Sequence, residues 1–323
     1  EATSSGYAVF EELLRKTGEF IAETLGTEQA FVTSGAAAAI SLGTAAVLAG
    51  DDRDRMASIP DTSGFDRNEF VFQRGHDYTY KRCFTLAGGK LVDVGRADGC
   101  TVEEMEAGIG PKTAGIAYFE SGRWGSEWVS LDQAREVANK HGIKLVVDAA
   151  GQIYPLDQFM RVARTGDVVA FGAKYIGSPH STGICTGRAE FVESAFLQNF
   201  IGFELAGIQG LARPYGRPYK TDRGEVMGVA VALRRWFSMN HEERLAVEED
   251  KRSAFARGLA GIAGVTTSIP KEAQLGPNVT VFIHFDAGIT GIDGHEVIKQ
   301  LEEGDPPIWT RTHDDGGSIG IGV

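Results

Sequence analysis

The sequence predicts an α/β protein in which helices cover both faces of a mostly parallel central sheet, followed by a small α+β domain. Short apolar runs alternate with segments whose apolar residues recur at helical spacing, a rhythm typical of parallel sheets covered by helices. The last part of the chain instead has two strand patterns, at 278–285 and 307–312, on either side of a helix at 294–301. We therefore predict a large domain at 1–237 and a small C-terminal domain at 238–323.

The elements of the large domain follow from local patterns. Apolar residues at helical spacing predict a first helix over 7–25, and a short strand at 30–32 then turns into an alanine-rich helix at 36–48. Further strands are predicted at 69–73, 90–94, 116–119, 144–148, 167–171 and 183–187. Further helices are predicted at 78–86, 131–141, 225–237 and 242–259, and the segment 188–219 is predicted to be irregular.

The charge and cysteine content exclude several classes of function. A net charge of −12 gives no positive field for nucleic acid or an anionic membrane, so we expect neither as a partner. The three cysteines form no CxxC pair, which argues against a disulfide scaffold or zinc ribbon and predicts a cytoplasmic location. No apolar run suits a transmembrane helix, and no metal-ligand spacing predicts a metal site. The chain starts at Glu1 and ends within a strand pattern, so we expect that both ends are missing.

A strand gives way to a turn and a helix start at Ser34, Gly35 and Ala36. Free backbone N–H groups and the positive end of the helix dipole meet at such a place, and small side chains let an anion approach. These residues predict a phosphate cup, although Ser34 would equally serve as an ordinary cap of an alanine helix. No GxGxxG or GxxxxGK[ST] pattern occurs, so the sequence does not support the common nucleotide-binding folds.

Two further residues have the chemistry that a pyridoxal 5'-phosphate (PLP) site adds to a phosphate cup. Asp148 ends a buried strand, where it either pairs with a protonated ring nitrogen or caps the next segment. Lys174 follows a strand among glycine and alanine, where it is either an amine nucleophile or a surface turn residue. Together the three suit PLP: the cup takes the phosphate, the carboxylate keeps the pyridine nitrogen protonated, and the lysine forms the Schiff base.

The cup, Asp148 and Lys174 lie in segments that match one enzyme family over nearly the whole chain. These segments are 30–38, 59–64, 73–76, 118–120, 147–150, 170–183 and 304–308. They resemble the fold-type I PLP-dependent enzymes, in the branch of selenocysteine synthase and D-glucosaminate-6-phosphate ammonia-lyase. The resemblance implies a fold-type I PLP-dependent transferase-like fold, PLP as the cofactor, and a homodimer or higher homo-oligomer.

The resemblance also assigns roles by position. Lys174 would form the internal aldimine, while Asp148 and Ala150 would lie at the pyridine ring. Ser34, Gly35 and Ala36 would line the phosphate. His76 would stack on the face of the ring, although the residue types fit a buried, hydrogen-bonded histidine as well.

The segment around Lys174 departs from the pattern of the ammonia-lyase relatives. Gly177 stands where the ammonia-lyase relatives tend to have a cationic residue, and His180 stands where they tend to have glutamine. The loss of the cation disfavours a phosphorylated sugar-acid substrate. His180 is then either an acid–base group or a turn residue.

Substrate contacts are predicted for three more residues. Arg311, on a strand of the small domain, is a candidate for the substrate carboxylate by the same resemblance. Glu120 ends a strand and either meets the hydroxyl side of the ring or is an ordinary strand-end carboxylate. Arg217 forms a basic cluster with Arg213 and Lys220, which either reaches a phosphate, also across a dimer interface, or balances local acids.

These residues predict a PLP enzyme that acts at Cα of an amino-acid substrate through an external aldimine and a quinonoid, with Lys174 as the base. The first prediction is a lyase that eliminates ammonia or a β-substituent. The alternative is an oxygen-using oxidative decarboxylase (a monooxygenase-decarboxylase) of nucleoside-antibiotic type, with dioxygen as co-substrate and with His76 or His180 handling protons. The remaining hypothesis is a non-catalytic interaction protein with a decayed site.

Overall fold

A seven-stranded sheet and a separate four-stranded sheet organise the two parts of the chain. The computed structural model describes residues 9–122, 124–204, 213–269, 280–312 and 318–322. The chain divides into two compact units, Glu1–Phe237 and Ser238–Val323.

The sheet of the first unit is mostly parallel, which confirms the predicted fold class. Its strands are β1 (Gln29–Thr33), β2 (Glu69–Gln73), β3 (Lys90–Val94), β4 (Thr113–Phe119), β5 (Lys144–Asp148), β6 (Val168–Gly172) and β7 (Gly183–Gly187). They lie side by side in the order β1, β7, β6, β5, β4, β2, β3. Strand β7 is antiparallel to both of its neighbours, and the other pairs are parallel. All seven strands coincide with predicted strands to within a few residues.

Helices connect these strands. The α-helices of the described part of this unit are α1 (Phe10–Leu25), α2 (Ala36–Ala49), α3 (Arg53–Ser58), α4 (Val102–Ala107), α5 (Leu131–His141), α6 (Leu156–Thr165), α7 (Ala189–Gln198), α8 (Ile201–Glu204) and α9 (Arg223–Ser238). Short 3₁₀ helices occur at Arg74–His76, Thr79–Phe84 and Ala173–Ile176. The helix predicted over 78–86 is a 3₁₀ helix, and it is confined to Thr79–Phe84.

Several α-helices lie where the sequence patterns did not place one, and α6 and α7 are the longest of those described. The prediction that 188–219 is irregular is wrong for α7 and α8. Helix α7 buries Phe191 and Ala195 on one face, four residues apart. Helix α6 occupies a stretch for which no element is predicted, and it buries Phe159 and Val162. In both helices the apolar residues have helical spacing, but the stretch is only ten residues long and its pattern is correspondingly short.

The core of this unit lies between α2 and the central strands. Helix α2 contacts β5, β6 and β7 and is buried on almost every side, since its alanine and glycine residues let it lie close to the sheet. A buried carboxylate, Asp167, ties the neighbouring layers together. It accepts hydrogen bonds from Arg135 Nη1 of α5 and from the backbone amide of Leu145 of β5, both at 2.7 Å.

The second unit has an antiparallel sheet and three described helices. Strands β8 (Val265–Ser268), β9 (Thr280–Phe285), β10 (Arg311–Thr312) and β11 (Ser318–Gly322) lie in the order β10, β11, β9, β8. The helices are α10 (His241–Leu259), α11 (Ala287–Thr290) and α12 (Gly294–Glu302). The strand predicted over 307–312 is confined to β10. In neither unit is a described helix both long enough and apolar enough to cross a bilayer.

Candidate cofactor site

The strand register brings the cup, Asp148 and the Lys174 segment to one edge of the first unit's sheet. Thr33, at the end of β1, pairs with Gly183 at the start of β7, and Gly183 also pairs with Gly172 at the end of β6. Asp148, the last residue of β5, pairs with Ala170 of β6. Since adjacent strands lie ~4.8 Å apart, the ends of β1 and β6 are about 10 Å apart across β7.

The predicted cup has the geometry of an anion site. Gly35 precedes α2 with φ 110° and ψ 164°, a conformation that strongly favours glycine. Its carbonyl accepts the first helical hydrogen bond, from Ala39 N at 3.2 Å. The amides of the first helical turn therefore have no acceptor within the helix. A Cβ added to Gly35 would meet no atom within 4 Å, so an anion has room to approach these amides.

Gly183 is part of the same cup, although the sequence did not single it out. A Cβ on Gly183 would lie 2.4 Å from the carbonyl carbon of Gly35 and 2.7 Å from the amide nitrogen of Ala36. The backbone of β7 therefore packs directly against the start of α2, and only glycine permits this approach. Thr33 Oγ1 also donates a hydrogen bond to the carbonyl of Gly35 at 3.0 Å, which stabilises the turn.

Asp148 is a buried carboxylate with two hydrogen-bond donors. Its Oδ1 accepts from the backbone amide of Ala150 at 3.1 Å, and its Oδ2 accepts from the hydroxyl of Tyr78 at 2.5 Å. Burial raises the pKa of Asp148, while the bonds from Tyr78 and Ala150 act in the opposite direction. The carbonyl of Ala150 in turn accepts from Gly172 N at 2.9 Å, so the loop after β5 is tied to the end of β6.

Lys174 lies on the 3₁₀ helix that follows β6, and its side chain is exposed at this edge of the sheet. Its Nζ lies 5.1 Å from the centre of the Tyr175 ring, a cation–π distance. The turn is held by a hydrogen bond from Ala173 N to Thr182 O at 3.0 Å, and Gly177 ends it with φ 86°. The exposed Lys174 thus follows β6, the strand that pairs with the Asp148 strand β5.

His76 is buried in an aromatic cluster. Its ring is stacked on Trp124, with centroids 3.9 Å apart and an interplanar angle of 12°. The amide of Val129 donates to Gln73 Oε1, which leaves Gln73 Nε2 as a donor to His76 Nε2 at 3.3 Å. The neutral imidazole therefore carries its proton on Nδ1, which has no partner among the described residues. Burial lowers the pKa of His76 to about 3.

This placement bears on the two alternatives for His76. The ring is buried and hydrogen-bonded, as in the buried-histidine alternative, and it is stacked on the Trp124 indole. Its role in stacking on a cofactor stays a prediction. Glu120 is also buried and accepts a hydrogen bond from Gly122 N at 2.8 Å, while burial raises its pKa. His180 is exposed on the loop after the Lys174 turn.

The structure describes the basic cluster within the first unit, and the backbone of Arg311 within the second. Arg217 and Lys220 line a cavity of about 470 Å³ together with the apolar side chains of Phe10 and Phe200, and Arg213 is exposed. Arg311 belongs to β10 of the second unit, and its side chain lies outside the described residues. No group of His, Cys, Asp and Glu suited to a metal ion occurs in the part of the chain that the structure describes.

Tyr78 is the principal site residue that the sequence patterns missed. It lies two residues after His76, but 70 positions separate it from Asp148. Nothing local in the sequence links the two, since their contact depends on the parallel pairing of the sheet. The one signal that could have pointed to Tyr78 is its position shortly after β2, since the carboxyl end of this strand lies at the same sheet edge as the other predicted residues.

Three known proteins are similar to the chain over most of its length. It is 29% identical over 316 residues, 96% of this chain and 80% of the relative, to the D-glucosaminate-6-phosphate ammonia lyase of Salmonella typhimurium (strain 14028s / SGSC 2262). It is 28% identical over 309 residues, 93% of this chain and 73% of the relative, to a 5'-C-glycyluridine monooxygenase-decarboxylase of a Streptomyces species. It is 23% identical to the L-seryl-tRNA(Sec) selenium transferase of Moorella thermoacetica, of whose length it covers 64%.

Solved structures give the same result for the fold. A structure of D-glucosaminate-6-phosphate ammonia-lyase matches with a TM-score of 0.79 and 26% identity, over 99% of this chain and 83% of the other. The cysteine desulfurase CsdA of Escherichia coli matches over 99% of this chain and 82% of its own, with a TM-score of 0.61 and 15% identity, which shows the fold alone. No protein-family model matches the chain.

Proposed function

We propose that the chain is a PLP-dependent lyase acting at Cα of an amino acid. The premise is that it is a fold-type I relative of D-glucosaminate-6-phosphate ammonia lyase and of selenocysteine synthase over most of its length, as its motifs predict. The observation that carries the proposal is the register of the sheet. It aligns an open helix start, a buried carboxylate and an exposed lysine amine along one edge.

The residues present fit the cofactor. The open space above Gly35 and the amides that begin α2 suit a phosphate dianion. Asp148 is buried and still has free acceptor positions for the N–H of a pyridine ring. PLP supplies an electron sink for the negative charge that develops at Cα.

The chain's own residues then have distinct tasks. The first turn of α2 binds and orients the phosphate end of the cofactor. Asp148 holds the proton on the pyridine nitrogen, and Ala150 keeps its carboxylate in place. Lys174 would hold the cofactor's carbonyl group through its amine, and the same amine would move the proton of Cα. His76 is too weak a base to take up that proton, because burial lowers its pKa to about 3.

A second candidate reaction is oxidative decarboxylation with dioxygen. It is favoured by the 28% identity to the 5'-C-glycyluridine monooxygenase-decarboxylase. Gly177 and the exposed His180 also depart from the ammonia-lyase pattern beside Lys174. Both candidates would use the same cofactor-binding residues. The first would expel a leaving group from the substrate, whereas the second would need dioxygen as a co-substrate.

The remaining assignments belong to the proposal. We propose Glu120 and Arg217 as candidate substrate contacts, Arg311 as a candidate for the substrate carboxylate, and a homodimer or higher homo-oligomer in the cytoplasm. The partners are then an amino acid and, for the second reaction, dioxygen.

Trapping the lysine tests the proposal. The protein should turn yellow with PLP, and borohydride should fix the cofactor to the peptide that contains Lys174. The variant Lys174→Ala should lose this label, while Lys90→Ala, which removes an exposed lysine of β3, should keep it. A protein that stays colourless, or labels equally in both variants, would favour the non-catalytic hypothesis.

Gas measurements separate the two reactions. A lyase should release its product at the same rate with and without oxygen. A decarboxylase of the second kind should consume dioxygen in proportion to the carbon dioxide released and should stop under anaerobic conditions.

A further inference from the structure

Tyr78 is held on the same frame as Asp148. Its ring lies parallel to that of Phe119, with centroids 3.9 Å apart and an interplanar angle of 4°. Phe119, the last residue of β4, is the register partner of Asp148 on β5. The hydroxyl of Tyr78 reaches Asp148 Oδ2 at 2.5 Å. A stack on one strand and a hydrogen bond to the next therefore fix the phenol.

The direction of this hydrogen bond follows from the surroundings. Burial, and then the charge of Asp148, raise the pKa of Tyr78, so the hydroxyl keeps its proton and donates it. A carboxylate offers about four lone-pair positions, and Tyr78 and the Ala150 amide occupy one on each oxygen. Asp148 can therefore accept a further N–H group without losing either bond.

We propose that Tyr78 is a positioning residue, whose hydroxyl orients the Asp148 carboxylate to accept the N–H of the cofactor's pyridine ring. This inference rests on the proposed PLP function. The bond also opposes the effect of burial, which raises the pKa of Asp148. Among the described residues, the Cys83 thiol also interacts with Asp148. Burial raises the pKa of Cys83 to about 11, so this thiol is neutral at physiological pH.

Removing the hydroxyl while keeping the stack isolates this role. Tyr78→Phe does so, and Tyr80→Phe is the matched control, because Tyr80 touches the Tyr78 ring edge-on and is largely exposed. The probe is PLP labelled with ¹⁵N at the ring nitrogen and bound to the full chain. The ¹⁵N chemical shift then reports protonation of the ring across a pH titration.

Wild-type protein and Tyr80→Phe should keep the ring nitrogen protonated over the same pH range. Tyr78→Phe should lose that proton at a pH lower by about one unit and should bind PLP about 10-fold more weakly, as expected for a lost hydrogen bond to a charged group. A second variant, Phe119→Leu, removes the stacked ring but leaves the hydroxyl, and it should shift the titration in the same direction.

The outcomes are distinguishable. If Tyr78→Phe binds PLP and titrates like wild type, or binds it more tightly because the phenol competes with the ring, the inference is overturned. If Tyr78→Phe does not fold, an unshifted titration in Phe119→Leu overturns it instead. If wild type and Tyr80→Phe also bind no PLP, the proposed function itself fails.

Discussion

Substitution of Gly183 tests the phosphate cup without touching any predicted catalytic group. A Cβ at this position would lie 2.4 Å from the carbonyl carbon of Gly35, and ordinary contacts begin at 3.4 Å. Gly183→Ala must therefore displace the backbone of the cup by about 1.0 Å, the difference between the two distances. The obstructing atoms belong to the backbone, so no side chain can swing aside. The conformation of Gly183 is not left-handed, and steric displacement is the effect that the substitution introduces.

The size of the effect follows from what the cup does. Overpacking of this kind costs about 1–3 kcal/mol of the free energy of unfolding. Moving the amides of Ala36 and its neighbours away from a phosphate weakens one or two hydrogen bonds to a charged group, each worth ~1.5–3 kcal/mol. We therefore expect Gly183→Ala to remain folded and to bind PLP about 10- to 100-fold more weakly.

A PLP titration followed by the Schiff-base absorbance, with urea unfolding in parallel, checks this expectation. Gly64→Ala is the control, because a Cβ there would meet no atom within 4 Å and its φ is ordinary. Gly64→Ala should match wild type in both assays. A folded Gly183→Ala protein with wild-type affinity for PLP would refute the assignment of the cup.

Two further predictions concern buried titratable groups. Asp167→Ala leaves Arg135 and the Leu145 amide without their shared acceptor, so it should lower the free energy of unfolding by about 3 kcal/mol in a urea titration. Asp132→Ala removes an exposed ion pair and should change the free energy of unfolding by less than ~1 kcal/mol in the same titration. His76 should make the protein less stable as pH falls from 6.5 towards about 3, because the unfolded chain takes up a proton there that the buried imidazole does not. Urea unfolding above and below pH 6.5 should show a smaller pH dependence in His76→Phe, and an equal dependence in both proteins would contradict the burial argument.

The site residues could be predicted from the sequence where one continuous segment contains all the residues that indicate the feature. The helix start at Gly35, the strand end at Asp148 and the turn at Lys174 each combine an apolar strand with the small or charged residues that follow it. Parallel strands share one edge for their carboxyl ends, so these local signals also predict that the three sites converge. The strands of the first sheet were predictable because each of them is likewise marked within a single segment of sequence.

Contacts between distant segments were not predictable. Tyr78 meets Asp148 only because β2, β4 and β5 are adjacent and parallel in the sheet. The stack of His76 on Trp124 depends on how the loop after β4 folds back, and no periodicity encodes it. Gly183 is one of 42 glycines, and its packing against the cup depends on the antiparallel placement of β7 beside β1.

The site divides into parts that are fixed and one part that is free to move. The cup is held by Gly183 and Thr33, and Asp148 is held by its strand neighbours and by Tyr78. Lys174 instead projects from a four-residue 3₁₀ turn, and its exposed side chain keeps its rotamer freedom. This division suits the proposed chemistry, because the cofactor ring would have to stay in place while the lysine amine reaches both the cofactor's carbonyl group and the proton of Cα. A rigid lysine could not reach both positions, and a mobile carboxylate could not hold the ring in place.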